Sequence, residues 1–250
     1  MSSDPRVDGE RPPERPVWLE PVVDGIDRIR ADDLSRYVPP EGSEPRQAAT
    51  LMLLGEGDAG PYLLLTERAH HMRSHPGQIS FPGGALDPED EGPVDAALRE
   101  AREETGLDPA GVDVLGQLPE LWLPPSNFAV TTVVAWWREE SPVHAATPDE
   151  VHAVLRVPVA TLLDPEHRVT TVHPLGRLGP GFVLGDELIL WGFTAGVISR
   201  LFDFIGWTRP WDHTRTFEVQ DWMLFGKDVP PDEIPEMPEP NTQFQEGPGR

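Results

Sequence analysis

Residues 84–107, GALDPEDEGPVDAALREAREETGL, decide the fold of this chain. A loop rich in turn-forming residues leads into a segment with helical spacing. Pro93 suits the first turn of a helix, where its missing N–H donor costs nothing. Gly106 suits the helix end, where the backbone often turns left-handed. We therefore predict a short helix between these two residues.

The two faces of this helix differ in character. At about 100° per residue, the small and apolar residues share one stripe, formed by Val94, Ala97, Leu98, Ala101 and Thr105. Glu100, Glu103 and Glu104 share a second stripe, about 120° round from the first. We expect the first stripe to pack on a sheet while the second presents carboxylates.

A cluster of three glutamates on one helix face is either a solvated surface or a cation site. Like charges at these spacings repel one another and destabilise a helix, and most Glu-rich faces are only solvated. Here Gly83-Gly84 lets a backbone approach a ligand closely, and Arg99 can orient the carboxylates. Mg²⁺ or Mn²⁺ bound there would leave coordination positions for water and phosphate oxygens. This chemistry suits hydrolysis of a phosphoanhydride.

Composition narrows the classes of partner. The chain has 250 residues and a formal net charge of −23, which argues against binding to nucleic acid or to an anionic membrane. There are no cysteines, which excludes thiol catalysis and fits a cytoplasmic protein. We also expect no signal peptide in residues 1–16 and no membrane span in residues 188–198.

The pattern of the chain predicts an α/β fold with a mixed sheet between helices. We expect an N-terminal extension, 1–45, with one helix over Trp18–Tyr37. A folded domain would follow at 46–226, and a disordered acidic, proline-rich tail at 227–250. The strands are predicted at 46–54, 62–66, 112–118, 128–137, 151–157, 168–173 and 182–191, with a closing helix at 193–204. We expect the first two strands to form a hairpin through the glycine-rich turn between them.

Residues 84–107 resemble the Nudix box, with REAREETGL at 99–107 fitting its second half position by position. The spacer between Gly84 and Arg99 is one residue longer than the general pattern, so either Asp90 or Glu91 takes the early acidic position. Upstream, LLTER at 64–68 and MRSHPGQISFPGG at 72–84 are similar to the signature of the coenzyme A pyrophosphatase branch.

The resemblance implies a Nudix-type α/β/α sandwich. It implies hydrolysis of coenzyme A or acyl-CoA to 3′,5′-ADP and 4′-phosphopantetheine or its acyl form. It also assigns residue roles. Glu100, Glu103 and Glu104 would bind Mg²⁺ or Mn²⁺, with Gly83 as a further ligand through its carbonyl. Arg99 would orient the cluster, and Glu103 or Glu150 would be the catalytic base. The substrate-binding residues would be Arg68, Arg73, His75 and Gln78. A homodimer is left open.

Two other functions stay open at this stage. One is a Nudix hydrolase of ADP-ribose or of a dinucleotide such as NADH, with Trp122 and the segment 124–126 near the substrate. The other is a non-catalytic nucleotide-binding module. His70, His71 and His75 suggest zinc, since neutral histidine is a common ligand. No further ligand follows at a suitable spacing, so we favour a surface or substrate-contacting loop.

Overall fold

The computed structural model describes residues 14–124, 126–172, 178–185 and 188–225. The predicted acidic tail at 227–250 and most of the predicted N-terminal disordered stretch lie outside these ranges. Within them, no helix combines the length and apolar character that a membrane crossing requires.

Strands and helices alternate along the described chain. The strands are β1 Arg46–Gly57, β2 Gly60–Arg68, β3 Ile79–Ser80, β4 Gly83–Ala85, β5 Val112–Gln117, β6 Leu121–Leu123, β7 Phe128–Trp137, β8 Val151–Pro158, β9 Arg168–Val172, β10 Leu178–Val183, β11 Ile189–Leu190 and β12 Thr216–Glu218. The helices are α1 Glu20–Ile26, α2 Ala31–Leu34, α3 Pro93–Thr105, α4 Val159–Leu163, α5 Gly192–Phe204 and α6 Asp221–Phe225.

The larger sheet is mixed. Its strands run in the order β3-β2-β1-β7-β5, and β8, β4 and β6 pair with β2, β1 and β7 respectively. β1 and β2 form the predicted antiparallel hairpin, whereas β1 and β7 are parallel over Arg46–Leu54. A smaller sheet has the order β11-β10-β9-β12.

The larger sheet is covered by helices on both faces. Leu51 and Leu53 of β1 pack in one cluster with Ala97 and Ala101 of α3. Met52 and Leu54 belong to a second cluster, which includes Val22 of α1 and the buried residues of α5. Successive strand residues point to opposite faces, so one strand contributes to both cores. The predicted α/β/α sandwich with a mixed sheet is confirmed.

Helix α3 forms as its sequence predicts. It begins at Pro93 and ends at Thr105, and Gly106 caps it in the left-handed conformation with φ 71°. Ala97, Ala101 and Thr105 are fully buried against the sheet. The glutamates lie on a neighbouring face of the helix, where only Glu103 is exposed.

Two predicted elements differ from the structure. The single strand predicted at 182–191 is divided into β10 and β11, which pair antiparallel as Val183 with Ile189. The helix predicted over Trp18–Tyr37 is divided into α1 and α2. Arg30 is extended there, and its N–H donates to the Asp33 carboxylate at 2.9 Å. This side-chain contact starts a new helix, which an apolar periodicity cannot reveal.

The N-terminal helices contribute to the same core as the sheet. Leu19, Val22 and Leu34 are buried in the cluster that contains α5, and a Cβ atom on Gly116 of β5 would lie 2.7 Å from Ile26. We propose that the folded domain begins near Val17, before the predicted boundary at residue 46.

This boundary gives a stability prediction. Leu19 is fully buried and Val17 is exposed, although only Trp18 lies between them. Leu19→Ala should lower the free energy of unfolding by about 2–5 kcal/mol, as for other leucine truncations in a core. Val17→Ala should change it by less than ~0.5 kcal/mol. Urea denaturation of both variants provides the measurement, and a neutral Leu19→Ala would contradict the proposed boundary.

Candidate active site

The backbone of β4 anchors the carboxylate cluster of α3. Gly83 pairs with Thr50 of β1 and has φ 154°. A Cβ atom on Gly83 would lie 2.3 Å from the carbonyl oxygen of Ala49, so only glycine fits this contact. The Gly83 N–H donates to a carboxylate oxygen of Glu104 at 3.2 Å. The sequence signal Gly83-Gly84 therefore marks the place where strand and helix are joined.

The three glutamates differ in their exposure to solvent. Glu104 is only 9% exposed, whereas the Glu103 side chain is 55% exposed. Glu100 is intermediate. Burial raises the pKa of Glu104 to about 8, although the hydrogen bond from Gly83 acts in the opposite direction. Burial also raises the pKa of Glu100. An anionic Glu104 is therefore costly at neutral pH unless a cation lies nearby.

Arg99 connects the loop before α3 to the glutamates. Its guanidinium donates two hydrogen bonds of 2.9 Å to Asp90. It also donates to Glu100 at 3.0 Å and to Glu103 at 3.3 Å. The hydrogen bond with Asp90 raises the pKa of Arg99 and lowers that of Asp90. Arg99 thus orients two carboxylates of the cluster.

Asp90, rather than Glu91, is the early acidic residue that meets Arg99. The Asp90 side chain is almost fully buried and also accepts the N–H of Asp87 at 2.8 Å. The backbone N–H of Glu91 donates instead to Asp95 at 3.1 Å. The extra residue in the spacer is therefore accommodated between Asp90 and Arg99.

The donors of this cluster fit a hard divalent cation. Glu100, Glu103 and Glu104 supply carboxylate oxygens, which Mg²⁺ and Mn²⁺ prefer. Among the described residues, the ligand atoms of these three glutamates do not all lie within 4.8 Å of one another. Mg²⁺ does not need them to do so, since it keeps several waters and commonly uses one or two carboxylates. At Gly84, a Cβ atom would lie 2.5 Å from the Glu100 carboxylate, so the carboxylate needs a bare backbone here.

Arg68 and Glu150 act on the same cluster. The positive charge of Arg68 lowers the pKa of Glu104, and the negative charge of Glu150 raises it. Arg68 ends β2, and its buried Nε has no hydrogen-bond partner among the described residues. Glu150 is exposed just before β8, where its carbonyl accepts the N–H of Ala69 at 2.8 Å. The fold thus brings together residues that lie more than 80 positions apart.

The remaining predicted substrate residues lie in the loop 69–78. This loop returns to its start, because the Arg68 N–H donates to the carbonyl of Gln78 at 3.0 Å. His75 lies 6.4 Å from Trp191 between ring centroids, and the Gln78 side chain lies beside Gly192. Arg73 is exposed. His75 and Gln78 therefore lie beside the start of α5, while Arg73 faces solvent.

The Trp122 ring is packed inside the protein. It is buried in β6, and its indole N–H donates to the Asn127 side chain at 3.0 Å. Phe128 lies under Arg46, whose guanidinium is 4.5 Å from the ring centroid. The structure thus gives both rings protein partners.

The sequence pattern missed one histidine. His152 of β8 lies beside His70, with 4.7 Å between ring centroids, and His70 contacts Glu67 at 2.9 Å. No further ligand follows His70 at a suitable spacing along the chain, because this partner comes from a different strand. A local spacing cannot reveal a neighbour that is set by strand pairing.

The chain is similar to known proteins over a large part of its length. The NUDIX domain model matches residues 44–174. A relative from Enterobacter sp. (strain 638), named "Uncharacterized Nudix hydrolase NudL", is 41% identical over 162 residues, covering 62% of this chain and 81% of its own length. A relative of the same name from Shigella flexneri is 39% identical over 189 residues, covering 71% and 95%. The Nudix hydrolase RenU from M. smegmatis has a TM-score of 0.41 at 26% identity, covering 47% and 73%.

The raised pKa of Glu104 predicts a pH-dependent stability in metal-free protein. The folded state keeps a proton on Glu104 up to about pH 8, whereas an unperturbed glutamate has a pKa of 4.5. This contribution to stability is therefore present at low pH and is lost as the pH rises through about 8. In EDTA, the free energy of unfolding of the wild type should fall between about pH 5 and pH 9, and it should fall more than that of Glu104→Gln.

Urea denaturation of both proteins across this pH range tests the assignment. Adding Mn²⁺ should restore the wild type mainly at high pH, where Glu104 is ionised. Parallel pH profiles for the two proteins would show that Glu104 ionises normally.

The contact at Gly84 predicts a selective effect on metal binding. Gly84→Ala should displace the Glu100 carboxylate and weaken Mn²⁺ binding by ~10-fold or more, as for disrupted partners of metal ligands. Titration of the free Mn²⁺ signal in electron paramagnetic resonance provides the measurement. Gly196→Ala is the control, since a Cβ atom there meets nothing within 4 Å. Equal affinities in the two variants would contradict a role for the Glu100 position.

Proposed function

This chain belongs to the NUDIX family, and we propose that it hydrolyses the pyrophosphate bond of coenzyme A or acyl-CoA. The products would be 3′,5′-ADP and 4′-phosphopantetheine or its acyl form. The observation that carries the proposal is the position of Arg68. The charge of Arg68 acts on Glu104. Arg68 also directly precedes the loop 69–78, which carries the sequence signature similar to the coenzyme A branch.

Catalysis in this proposal depends on the carboxylate cluster. A bound Mg²⁺ or Mn²⁺ would activate water and neutralise the charge that develops on phosphate oxygens. Glu100, Glu103 and Glu104 would hold it, with the Gly83 carbonyl as a further ligand. Arg99 keeps Glu100 and Glu103 in place, so the site is oriented before substrate arrives. Such preorganisation limits the reorganisation needed during reaction.

Two residues are proposed as alternatives for the catalytic base. Glu103 is largely exposed and is held by Arg99 at 3.3 Å. Glu150 is exposed across the site and is close enough for its charge to raise the pKa of Glu104. Each is therefore accessible to a water molecule at the edge of the cluster.

Substrate recognition would rely on a few positively charged and polar side chains. The chain carries a net charge of −23, so a polyanion such as coenzyme A meets overall repulsion. Arg68 and Arg73, together with His75 and Gln78, are proposed to supply local contacts around one end of the sheet. The exposed position of Arg73 leaves its guanidinium available to a phosphate group.

The alternatives have less support. ADP-ribose or NADH hydrolysis would draw on Trp122, but its ring is buried and its N–H is already bonded. A non-catalytic nucleotide-binding module would not need all three glutamates of α3, which this chain retains. The proposal includes a cytoplasmic location, which the absence of cysteine supports; a homodimer stays a prediction.

A substrate panel tests the proposed reaction. The protein is incubated with Mg²⁺ or Mn²⁺ and with coenzyme A, acetyl-CoA, dephospho-coenzyme A, ADP-ribose or NADH. We expect 3′,5′-ADP from coenzyme A and slower cleavage when the 3′-phosphate is missing. Efficient cleavage of ADP-ribose or NADH without cleavage of coenzyme A would contradict the proposed branch.

A variant tests the proposed site. Glu104→Gln should lower turnover by at least ~100-fold, the range for removing a catalytic electrostatic group. Glu89→Gln is the matched control, because Glu89 is an exposed glutamate of the loop before α3 and should keep the wild-type rate. A wild-type rate in Glu104→Gln with an unchanged circular dichroism spectrum would refute the metal-site assignment.

A further inference from the structure

A second group of metal-ligating side chains lies outside the carboxylates of α3. It consists of Glu67, His70 and His152, here named the His–Glu cluster. One ligand atom from each residue lies within 4.8 Å of the other two. The His70 Nε2 atom is 2.9 Å from a Glu67 oxygen, and the two imidazoles meet edge to face.

A β-bulge builds the His–Glu cluster. Glu67 of β2 pairs with Ala153 of β8, whereas Arg68 pairs with Val151. His152 is therefore the extra residue between the two pairs. Bulges change the direction of side chains and are common beside functional sites. Without the bulge, strict alternation would not bring His152 to the side of Glu67.

Two adjacent residues of β2, Glu67 and Arg68, belong to the His–Glu cluster and to the candidate active site respectively. Neighbouring residues of a strand point to opposite faces. Arg68 acts on Glu104 of the carboxylate cluster, whereas Glu67 meets His70 and His152. The two groups of ligands are therefore separate, although they are neighbours along β2.

The exposures within the cluster suit a ligand site better than a surface ion pair. The Glu67 side chain is only 9% exposed, whereas that of His70 is 60% exposed. A surface ion pair would need only His70, and it contributes little stability. Here a buried carboxylate faces two imidazoles from different segments of the chain. The exposed imidazoles can adjust to an ion at small cost.

We propose that the His–Glu cluster binds Zn²⁺ or a similar divalent transition metal. Two imidazoles and one carboxylate are a ligand set that holds Zn²⁺ while leaving a fourth position open. Imidazole favours such ions over Mg²⁺ and Ca²⁺, which prefer oxygen ligands. The ion would connect the loop 69–78 to β8 through His70 and His152, and so restrain the loop.

The proposed site is tested by binding, without any assay of hydrolysis. Zn²⁺ is titrated into the full chain by calorimetry in excess Mg²⁺, which occupies hard oxygen sites. Thermal unfolding is measured with and without Zn²⁺. We expect one Zn²⁺ per chain and a higher Tm with Zn²⁺, because an ion that binds the folded state stabilises it.

Variants identify the ligands. His152→Ala should weaken Zn²⁺ binding by at least ~100-fold, beyond the range for partners of a metal ligand, and should abolish the Tm shift. His71→Ala is the matched control, since His71 is an exposed neighbour outside the cluster, and it should bind Zn²⁺ like the wild type. Glu104→Gln should also keep the Zn²⁺ affinity, because it alters only the other site.

Two results would overturn the proposal. One is a wild type that shows no Zn²⁺ binding in excess Mg²⁺. The other is a folded His152→Ala with the wild-type affinity. If His152→Ala does not fold, His152→Gln and Glu67→Gln replace it, and retained affinity in either folded variant counts against the site. None of these outcomes depends on coenzyme A hydrolysis, so the two proposals can fail separately.

Discussion

The burial of one carboxylate, that of Glu104, constrains the rest of the candidate site. Its oxygen accepts the N–H of Gly83, and this bond joins α3 to β4 and through β4 to the centre of the sheet. Burial also raises its pKa to about 8, so the anion is unfavourable unless a positive charge compensates it. Burial of the carboxylate at this contact thus creates the demand for a cation, and the hydrogen bond from Gly83 meets that demand only in part.

Arg99 distributes charge around this buried group. It forms a tight ion pair with Asp90 and also contacts Glu100 and Glu103. A guanidinium can do this because its donors lie in one plane and remain charged at all relevant pH values. The loop before α3, the helix face and the exposed base candidate Glu103 therefore form one connected network.

The end of β2 is where both proposed sites originate. Arg68 faces the carboxylates, Glu67 faces the histidines, and the loop 69–78 begins immediately afterwards. The bulge between β2 and β8 brings Glu150 and His152 to this end from a distant part of the chain. The end of β2 thus contributes Arg68 to the candidate active site and Glu67 to the His–Glu cluster.

Helix α3 follows from the sequence alone, because helical periodicity, Pro93 and Gly106 are local signals. The hairpin, the strand β7 and the glutamate stripe follow for the same reason. Three features depend on the folded chain: Glu104 is buried, Asp90 rather than Glu91 meets Arg99, and His152 lies beside His70. These outcomes depend on strand pairing and on side-chain contacts across the fold, and no spacing along the chain encodes them. The start of α2 after Arg30 is different, because it is marked by a local hydrogen bond between Arg30 and Asp33, which apolar periodicity does not register.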